Sequence, residues 1–154
     1  MAVANAYANL ELRIPKNEWE SVRRFTSTFK SEDRSSTDID HSPFDRYVDL
    51  WWAALTIGIR QGTRARPSEW HTFVTGVVLN QDSWRIRQLE LLALAEAGTP
   101  EVLDDPGRVI AIANEYAATG VAVLIDEMTG MTEPIWGVTS LFRRFVDQET
   151  VGVS

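Results

Sequence analysis

Residues 42–62 read SPFDRYVDLWWAALTIGIRQG and form the clearest structural pattern in the chain. The segment opens with Ser42, a good helix-capping residue, and with Pro43, which fits the first position of a helix. It closes with Gly62, the residue type that most often ends a helix. These signals predict a helix over residues 44–61.

The predicted helix 44–61 is apolar on nearly all sides between Leu50 and Ile59. A helix that is apolar all round is buried on most of its surface. We therefore expect this helix to lie at the centre of the fold, with Trp51 or Trp52 fully inside.

Further helices are predicted on both sides of this segment. Apolar residues recur at helical spacing after Pro15 and in four later stretches, at 67–78, 82–97, 105–120 and 135–145. The run Val121–Ile125 fits either a helix or a short buried strand, and its spacing favours the helix. The predicted fold is all-α, a single domain over residues 1–154 with about six or seven helices packed as a compact bundle.

One short strand is expected near the N-terminus. Leu10, Leu12 and Ile14 alternate with charged residues, which is typical of a half-buried strand. The only plausible partner within the chain is the tail at 150–153. Otherwise the edge of this strand must be covered or must pair with another chain, because unpaired edges promote association.

Residues 31–42 read SEDRSSTDIDHS and are polar throughout apart from Ile39. A segment of this composition buries too little apolar surface to offset the entropy of ordering. We expect a flexible connector, and a functional lid is the alternative.

The residues that most often carry chemistry are scarce. The chain has no cysteine and two histidines, His41 and His71, which do not stand in a metal-ligand spacing. Phosphate-binding glycine loops, calcium loops and serine-nucleophile elbows are missing from the sequence. We predict no metal, no cofactor and no catalytic residue.

Tryptophan, in contrast, is abundant, with six residues in a chain of 154. Each indole needs apolar surroundings and a hydrogen-bond acceptor for its N–H, and tryptophan is enriched at the centres of protein interfaces. We expect some of the rings to be half-exposed at a contact surface. The candidates are Trp19, Trp70, Trp84 and Trp136.

The basic residues are almost all arginine, since lysine occurs only at positions 16 and 30. Arginine is enriched at interfaces, although a GC-rich genome explains the same bias equally well. Arg60, Arg64 and Arg66 form a short basic segment and are further interaction candidates. The net charge of −7 opposes general binding to nucleic acid, which needs a basic footprint.

Three polar residues in the apolar C-terminal half are weaker candidates. Asn114 and Glu115 interrupt the apolar stretch VIAIANEYAATG, and Asp126 follows Val121–Ile125. A buried carboxyl group there would have a raised pKa and would mark a site. A solvent-facing polar pair is the favoured interpretation.

Residues 42–62 resemble small helical subunits found beside bacterial DNA-modification and phage-defence enzymes. The resemblance covers this segment only and implies no residue roles. It agrees with a non-catalytic interaction or adaptor subunit of a bacterial multi-protein assembly that associates with itself, which is the function we predict.

Two alternatives stay open at this point. The first is a nucleic-acid-associated accessory protein, for example of a DNA-modification or phage-defence system, that uses an arginine-rich face. The second is an enzyme with an unfamiliar carboxylate site around Glu115 and Asp126. We expect a protein partner, no membrane association and a cytoplasmic location, because the sequence lacks a long apolar run and the features of a secretory signal.

Overall fold

The computed structural model describes residues 5–27 and 41–151. This part of the chain is mostly helical and holds one two-stranded antiparallel sheet. The strands are β1 (Glu11–Pro15) and β2 (Trp70–Thr75), and the helices are α1 (Trp19–Arg24), α2 (Tyr47–Gln61), α3 (Ser83–Ala97), α4 (Pro106–Thr129) and α5 (Pro134–Val151). The fold is predominantly α, as predicted, but the described ranges contain five α-helices instead of six or seven.

The centre of the fold is a pair of helices, α2 and α4. Helix α4 packs against α2, α3, α5 and β1, and its most extensive contact is with α2. Helix α2, which covers most of the predicted helix 44–61, therefore shares the centre of the fold with α4. Trp51 in α2 is fully buried, whereas Trp52 beside it is half-buried, which confirms the prediction for this pair.

The backbones of α2 and α4 touch where glycines meet the facing helix. A Cβ atom on Gly120 would lie 1.6 Å from the carbonyl oxygen of Ala54, and one on Gly58 would lie 1.9 Å from that of Tyr116. We expected a helix to end near Gly120, and this is wrong, because α4 runs through it to Thr129. The glycine permits close approach instead of ending the helix.

Helix α2 starts later than the sequence predicted. It begins at Tyr47, and Phe44 instead forms an isolated parallel bridge with Thr26, where the Phe44 carbonyl accepts a hydrogen bond from Ser27 N at 2.8 Å. Ser42 does not cap the helix, since its Oγ donates to the Arg24 carbonyl at 3.2 Å. Contact with the end of α1 has replaced the predicted cap.

The segment predicted as a helix over 67–78 contains strand β2 instead. It pairs antiparallel with β1, so that Leu12 lies opposite Val74. The expected partner of the N-terminal strand, residues 150–153, is also wrong, because α5 extends to Val151. The β2 sequence WHTFVT is rich in aromatic and β-branched residues, which suit a strand once a partner is available.

The predicted flexible segment 31–42 lies mostly outside the described residues. Only His41 and Ser42 belong to the described part, and Ser42 is buried. Flexibility of residues 31–40 stays a prediction.

One helix, α4, is long and apolar enough to cross a membrane by length and composition. However, 67% of its most apolar window is buried inside the fold. The core helix of a soluble protein has the same properties, so this observation is weak evidence for a membrane span.

Candidate interaction site

An apolar groove with a volume of about 240 Å³ lies between α2 and α3. Its walls come from successive turns of the two helices, with Trp52, Leu55, Thr56 and Ile59 on α2 and Trp84, Gln88 and Leu92 on α3. Ile59 is 42% exposed and Trp84 is 50% exposed. We call this feature the α2/α3 groove.

An arginine fixes the two tryptophan rings at one end of the α2/α3 groove. The rings of Trp52 and Trp84 meet edge to face, with centroids 5.4 Å apart. The guanidinium carbon of Arg85 lies 5.2 Å from the Trp52 centroid and 5.3 Å from that of Trp84. Arg85 is buried, so this cation–π contact is shielded from water and holds both rings in place.

Carboxylates hold Arg85 in turn. Asp49 Oδ1 accepts hydrogen bonds from Arg85 at 3.2 Å and from Arg46 at 3.1 Å, and Asp82 Oδ2 lies 3.7 Å from Arg85 Nε. Burial alone would raise the pKa of Asp49, but the hydrogen bonds from the two arginines outweigh it and lower the pKa. Asp49 therefore stays ionised and keeps Arg85 between the rings.

The outer face of α3 carries an apolar stripe beside the groove. Trp84, Leu91 and Ala95 lie on it, spaced by seven and four residues, and Leu91 is 58% exposed. Arg87 and Glu90 flank this stripe. Within residues 5–27 and 41–151, neither of them has an ion-pair partner.

A second concavity of about 510 Å³ opens on the other side of α3. Its lining mixes apolar and polar side chains and includes Tyr7, Ile86, Arg87, Glu90 and Leu103. Burial, and secondly the charge of Glu90, raise the pKa of the Tyr7 hydroxyl. Helix α3 therefore lies between the apolar α2/α3 groove and a concavity that is lined by both polar and apolar side chains.

The four tryptophans predicted at contact surfaces do not form one surface. Of these four, only Trp84 lines the α2/α3 groove. Trp19 stacks on His71 with ring centroids 4.1 Å apart, and Trp70 lies half-buried on β2. Trp136 is exposed on α5, where its Nε1 donates to Glu133 Oε2 at 2.8 Å.

Sequence reasoning missed Trp52 and Arg85 as site residues. The position of Trp52 next to Trp51 could have indicated that one of the two rings is exposed, because adjacent residues point about 100° apart on a helix and cannot both face the same core. Arg85 gave no signal, since Asp49, the carboxylate that accepts its hydrogen bond, is 36 residues away.

The predicted basic segment is bound to other parts of the chain. Arg64 Nε lies 3.5 Å from Glu115 Oε2, Arg66 Nε lies 3.4 Å from Glu115 Oε1, and Arg60 donates to the Phe145 carbonyl at 3.1 Å. Arg64 and Arg66 thus hold the segment that links α2 to β2 against α4. Arg60 connects the end of α2 to α5. Pairing of Arg64 and Arg66 with Glu115 does not favour an arginine-rich face for nucleic acid.

Tyr116 joins the same polar cluster. Its hydroxyl donates to Glu96, a carboxylate that also lies 3.9 Å from Arg64 Nε. Burial, and then the hydrogen bond to Glu96, raise the pKa of Tyr116 to about 12. The tyrosine therefore keeps its proton at neutral pH and serves as a hydrogen-bond donor.

Asn114 has a structural role that explains its buried position. Its Oδ1 accepts from Arg13 N at 2.8 Å and its Nδ2 donates to the Glu11 carbonyl at 3.1 Å. Trp51 Nε1 donates to the Arg13 carbonyl at 3.3 Å on the same edge. The edge of β1 facing away from β2 is thus closed by side chains of α4 and α2, so the strand no longer argues for pairing with another chain.

Replacing Asn114 with leucine should lower the free energy of unfolding by about 1–3 kcal/mol, because the Arg13 N–H and the Glu11 carbonyl lose their partners. Urea unfolding monitored by circular dichroism measures this difference. The same replacement at exposed Asn80 is the control and should change stability by less than about 0.5 kcal/mol. Equal stabilities of the two variants would refute this role of the Asn114 amide.

The residues of the enzyme alternative are not brought together. Glu115 and Asp126 are separated by about 16 Å along α4, from the helical rise of 1.5 Å per residue. Asp126 is exposed, and burial followed by the charge of Asp126 raises the pKa of Glu18. In the described ranges, no group of three or more histidine, cysteine, aspartate or glutamate residues is arranged to hold a metal ion.

No family model matches the chain, and no curated protein or solved structure matches it.

Proposed function

We propose that the chain is a non-catalytic helical interaction subunit of a bacterial multi-protein assembly in the cytoplasm, and that it associates with itself through the α2/α3 groove. The observation that supports this proposal is the groove itself, an open apolar surface with two tryptophan rings fixed at one end. Monomeric proteins seldom expose large contiguous apolar patches, and those they expose are often functional.

The dimensions of the α2/α3 groove suit a helix. From Trp84 to Leu92 the groove extends about 12 Å along α3, the length of two turns. Helices dock in such grooves through apolar residues on one face. Because Arg85 already holds the rings of Trp52 and Trp84, a docked helix does not have to immobilise them, which lowers the entropic cost of binding.

A second copy of the chain is the occupant that fits best. The exposed stripe of α3, with Trp84 and Leu91, lies directly beside the groove. A two-fold axis brings the same surface of both copies together, so the stripe of each copy can enter the groove of the other. Symmetric dimers of this kind are the commonest oligomers of soluble proteins.

An aspartate at Ile59 should weaken self-association by about tenfold or more, because docking would bury an unpaired charge in the groove. Static light scattering over a micromolar concentration series measures the change. Ile59 is 42% exposed, so the variant should still fold. The matched control is Val77→Asp, since Val77 is 53% exposed but lies outside the groove, and it should associate like the unchanged protein.

A strictly monomeric mass of the unchanged protein at all concentrations would overturn the proposed self-association. Equal weakening by Ile59→Asp and Val77→Asp would show that association does not use the α2/α3 groove.

A further inference from the structure

The concavity lined by Tyr7, Ile86, Arg87, Glu90 and Leu103 has the composition of a small-molecule site. We call it the Tyr7 concavity. We propose that it binds a free amino acid with an apolar side chain, whose carboxylate contacts Arg87 and whose ammonium group contacts Glu90. The proposal is independent of self-association, because among the described residues the Tyr7 concavity and the α2/α3 groove share no lining residue.

Two opposite charges in the Tyr7 concavity are left without ion-pair partners. Arg87 and Glu90 stand one turn apart on α3, but they pair neither with each other nor with any other charge in residues 5–27 and 41–151. A guanidinium group binds a carboxylate through two parallel N–H groups, and a carboxylate accepts hydrogen bonds from an ammonium group. A ligand that carries both charges would therefore satisfy both side chains at once.

A free amino acid carries these charges at a spacing that suits one helix turn. Residues three apart on a helix have Cβ atoms about 5–6 Å apart, so long side chains at such positions can reach two groups attached to the same ligand carbon. The ammonium and carboxylate groups of a free amino acid share one carbon. In a peptide they stand at opposite ends of the chain, and this difference favours the free amino acid.

Tyr7 supplies a third polar group to the concavity. Its side chain is only 5% exposed, and its hydroxyl has no hydrogen-bond partner in the described part of the chain. Burial, and then the charge of Glu90, raise the pKa of this hydroxyl, so it keeps its proton at neutral pH. Buried polar groups pair with water or with a ligand. The Tyr7 hydroxyl can therefore donate to the carboxylate of a bound amino acid.

The remaining lining of the Tyr7 concavity suits an apolar side chain. Ile86, Leu103 and Pro106 line it and are half-buried, so a ligand that covers them removes further apolar surface from water. The volume of about 510 Å³ lies within the range of about 300–1,000 Å³ that is typical of small-molecule sites. Both the size and the lining thus agree with an amino acid whose side chain is apolar.

The N-terminal wall of the concavity is held in place without a ligand. Asn5 Nδ2 donates to the Gly76 carbonyl at 3.0 Å, and Asn5 Oδ1 accepts from Tyr7 N at 2.8 Å. The backbones also meet here, since a Cβ atom on Gly76 would lie 2.0 Å from the Tyr7 carbonyl oxygen. A preformed wall lowers the entropic cost of binding, because Tyr7 does not have to be ordered by the ligand.

Titration with L-leucine, followed by two-dimensional NMR of the backbone amides, tests the site. L-Leucine should shift the amide signals of Tyr7, Arg87 and Glu90, and the shifts give its dissociation constant. N-acetyl-L-leucine lacks the ammonium charge and L-leucinamide lacks the carboxylate, so each should bind about tenfold more weakly than L-leucine. L-Phenylalanine is titrated as well, so that the result does not depend on one side chain.

Two substitutions assign each ligand charge to one side chain. Arg87→Gln should weaken L-leucine about tenfold, but should leave L-leucinamide within about twofold, because that ligand has no carboxylate to lose a partner. Glu90→Gln should weaken L-leucine by a similar factor and leave N-acetyl-L-leucine within about twofold. Arg87 is exposed and Glu90 is half-buried, so both variants should fold, which circular dichroism checks.

Arg143→Gln is the matched control. It removes the same charge from an exposed position on α5, outside the Tyr7 concavity, and it should bind L-leucine like the unchanged protein. Equal weakening by Arg87→Gln and Arg143→Gln would show a general effect of charge and would overturn the assigned contact.

Two further results would also contradict the proposal. If neither L-leucine nor L-phenylalanine shifts the amides of Tyr7, Arg87 and Glu90, the concavity is not an amino-acid site. If N-acetyl-L-leucine binds as tightly as L-leucine, Glu90 does not bind an ammonium group. Light scattering on the same samples reports self-association separately, so either proposal can fail without the other.

Discussion

Replacing Gly120 with alanine is expected to lower the free energy of unfolding by about 3 kcal/mol, a large effect for one added methyl group. The new Cβ atom would lie 1.6 Å from the Ala54 carbonyl oxygen, far inside van der Waals contact. The obstacle is backbone of α2, which cannot rotate away as a side chain can. The helices α2 and α4 must therefore separate, and the contacts along their interface weaken together.

Gly107 provides the matched control, because it lies in the same helix with open space around it. Its added Cβ would approach only Asp105 Oδ1, at 3.4 Å. Gly107→Ala should leave stability unchanged or raise it by up to about 1 kcal/mol, since alanine favours the helix more than glycine does. Urea unfolding of both variants decides the question. A Gly120→Ala protein as stable as the Gly107→Ala protein would show that α2 and α4 do not meet at Gly120.

Gly120 also shows why the sequence predicted a helix end where α4 in fact continues. Gly98 ends α3 in the left-handed conformation, with φ 69°, and Gly62 ends α2 in the same way. At Gly120 an identical residue permits a close helix crossing instead. A glycine that ends a helix and one that admits a neighbour look alike in sequence, because the difference depends on what lies opposite in space.

Elements defined by local signals were predicted well. The start of α4 is an example, since the helical stretch predicted from residue 105 begins at Pro106, and the Asp105 side chain caps it by accepting from Arg108 N at 3.2 Å. Strand β1 was also found from its alternation. Strand β2 was missed because Trp70, Phe73 and Val74 fit a helical period as well as a strand, and its partner lies more than fifty residues away.

The candidate site was predictable only in outline. An excess of tryptophan predicted a contact surface and included Trp84. The groove itself depends on α2 and α3 lying side by side, and on the long-range contact of Arg85 with Asp49. Local sequence patterns carry no information about such pairings, so the four predicted tryptophans could not be sorted into those at the groove and those elsewhere.

Truncating Trp51 to alanine should have the largest effect of any substitution considered, a loss of about 4–5 kcal/mol in the free energy of unfolding. The side chain is fully buried between β1 and the core helices, so its removal leaves a large cavity. It also takes the Nε1 donor away from the Arg13 carbonyl on the closed edge of β1. The cavity and the lost hydrogen bond would both lie next to β1, so the packing of α2 against the sheet should weaken.

Two further variants separate these contributions. Trp51→Phe keeps most of the volume but removes the donor, and it should lose only about 1–2 kcal/mol. Trp136→Ala removes an indole that is 57% exposed and should cost less than about 1 kcal/mol. Circular dichroism in urea is the suitable measurement, because each variant loses a fluorophore. If Trp51→Ala and Trp136→Ala were equally stable, Trp51 would not be part of the core, and its contact with β1 would be wrong as well.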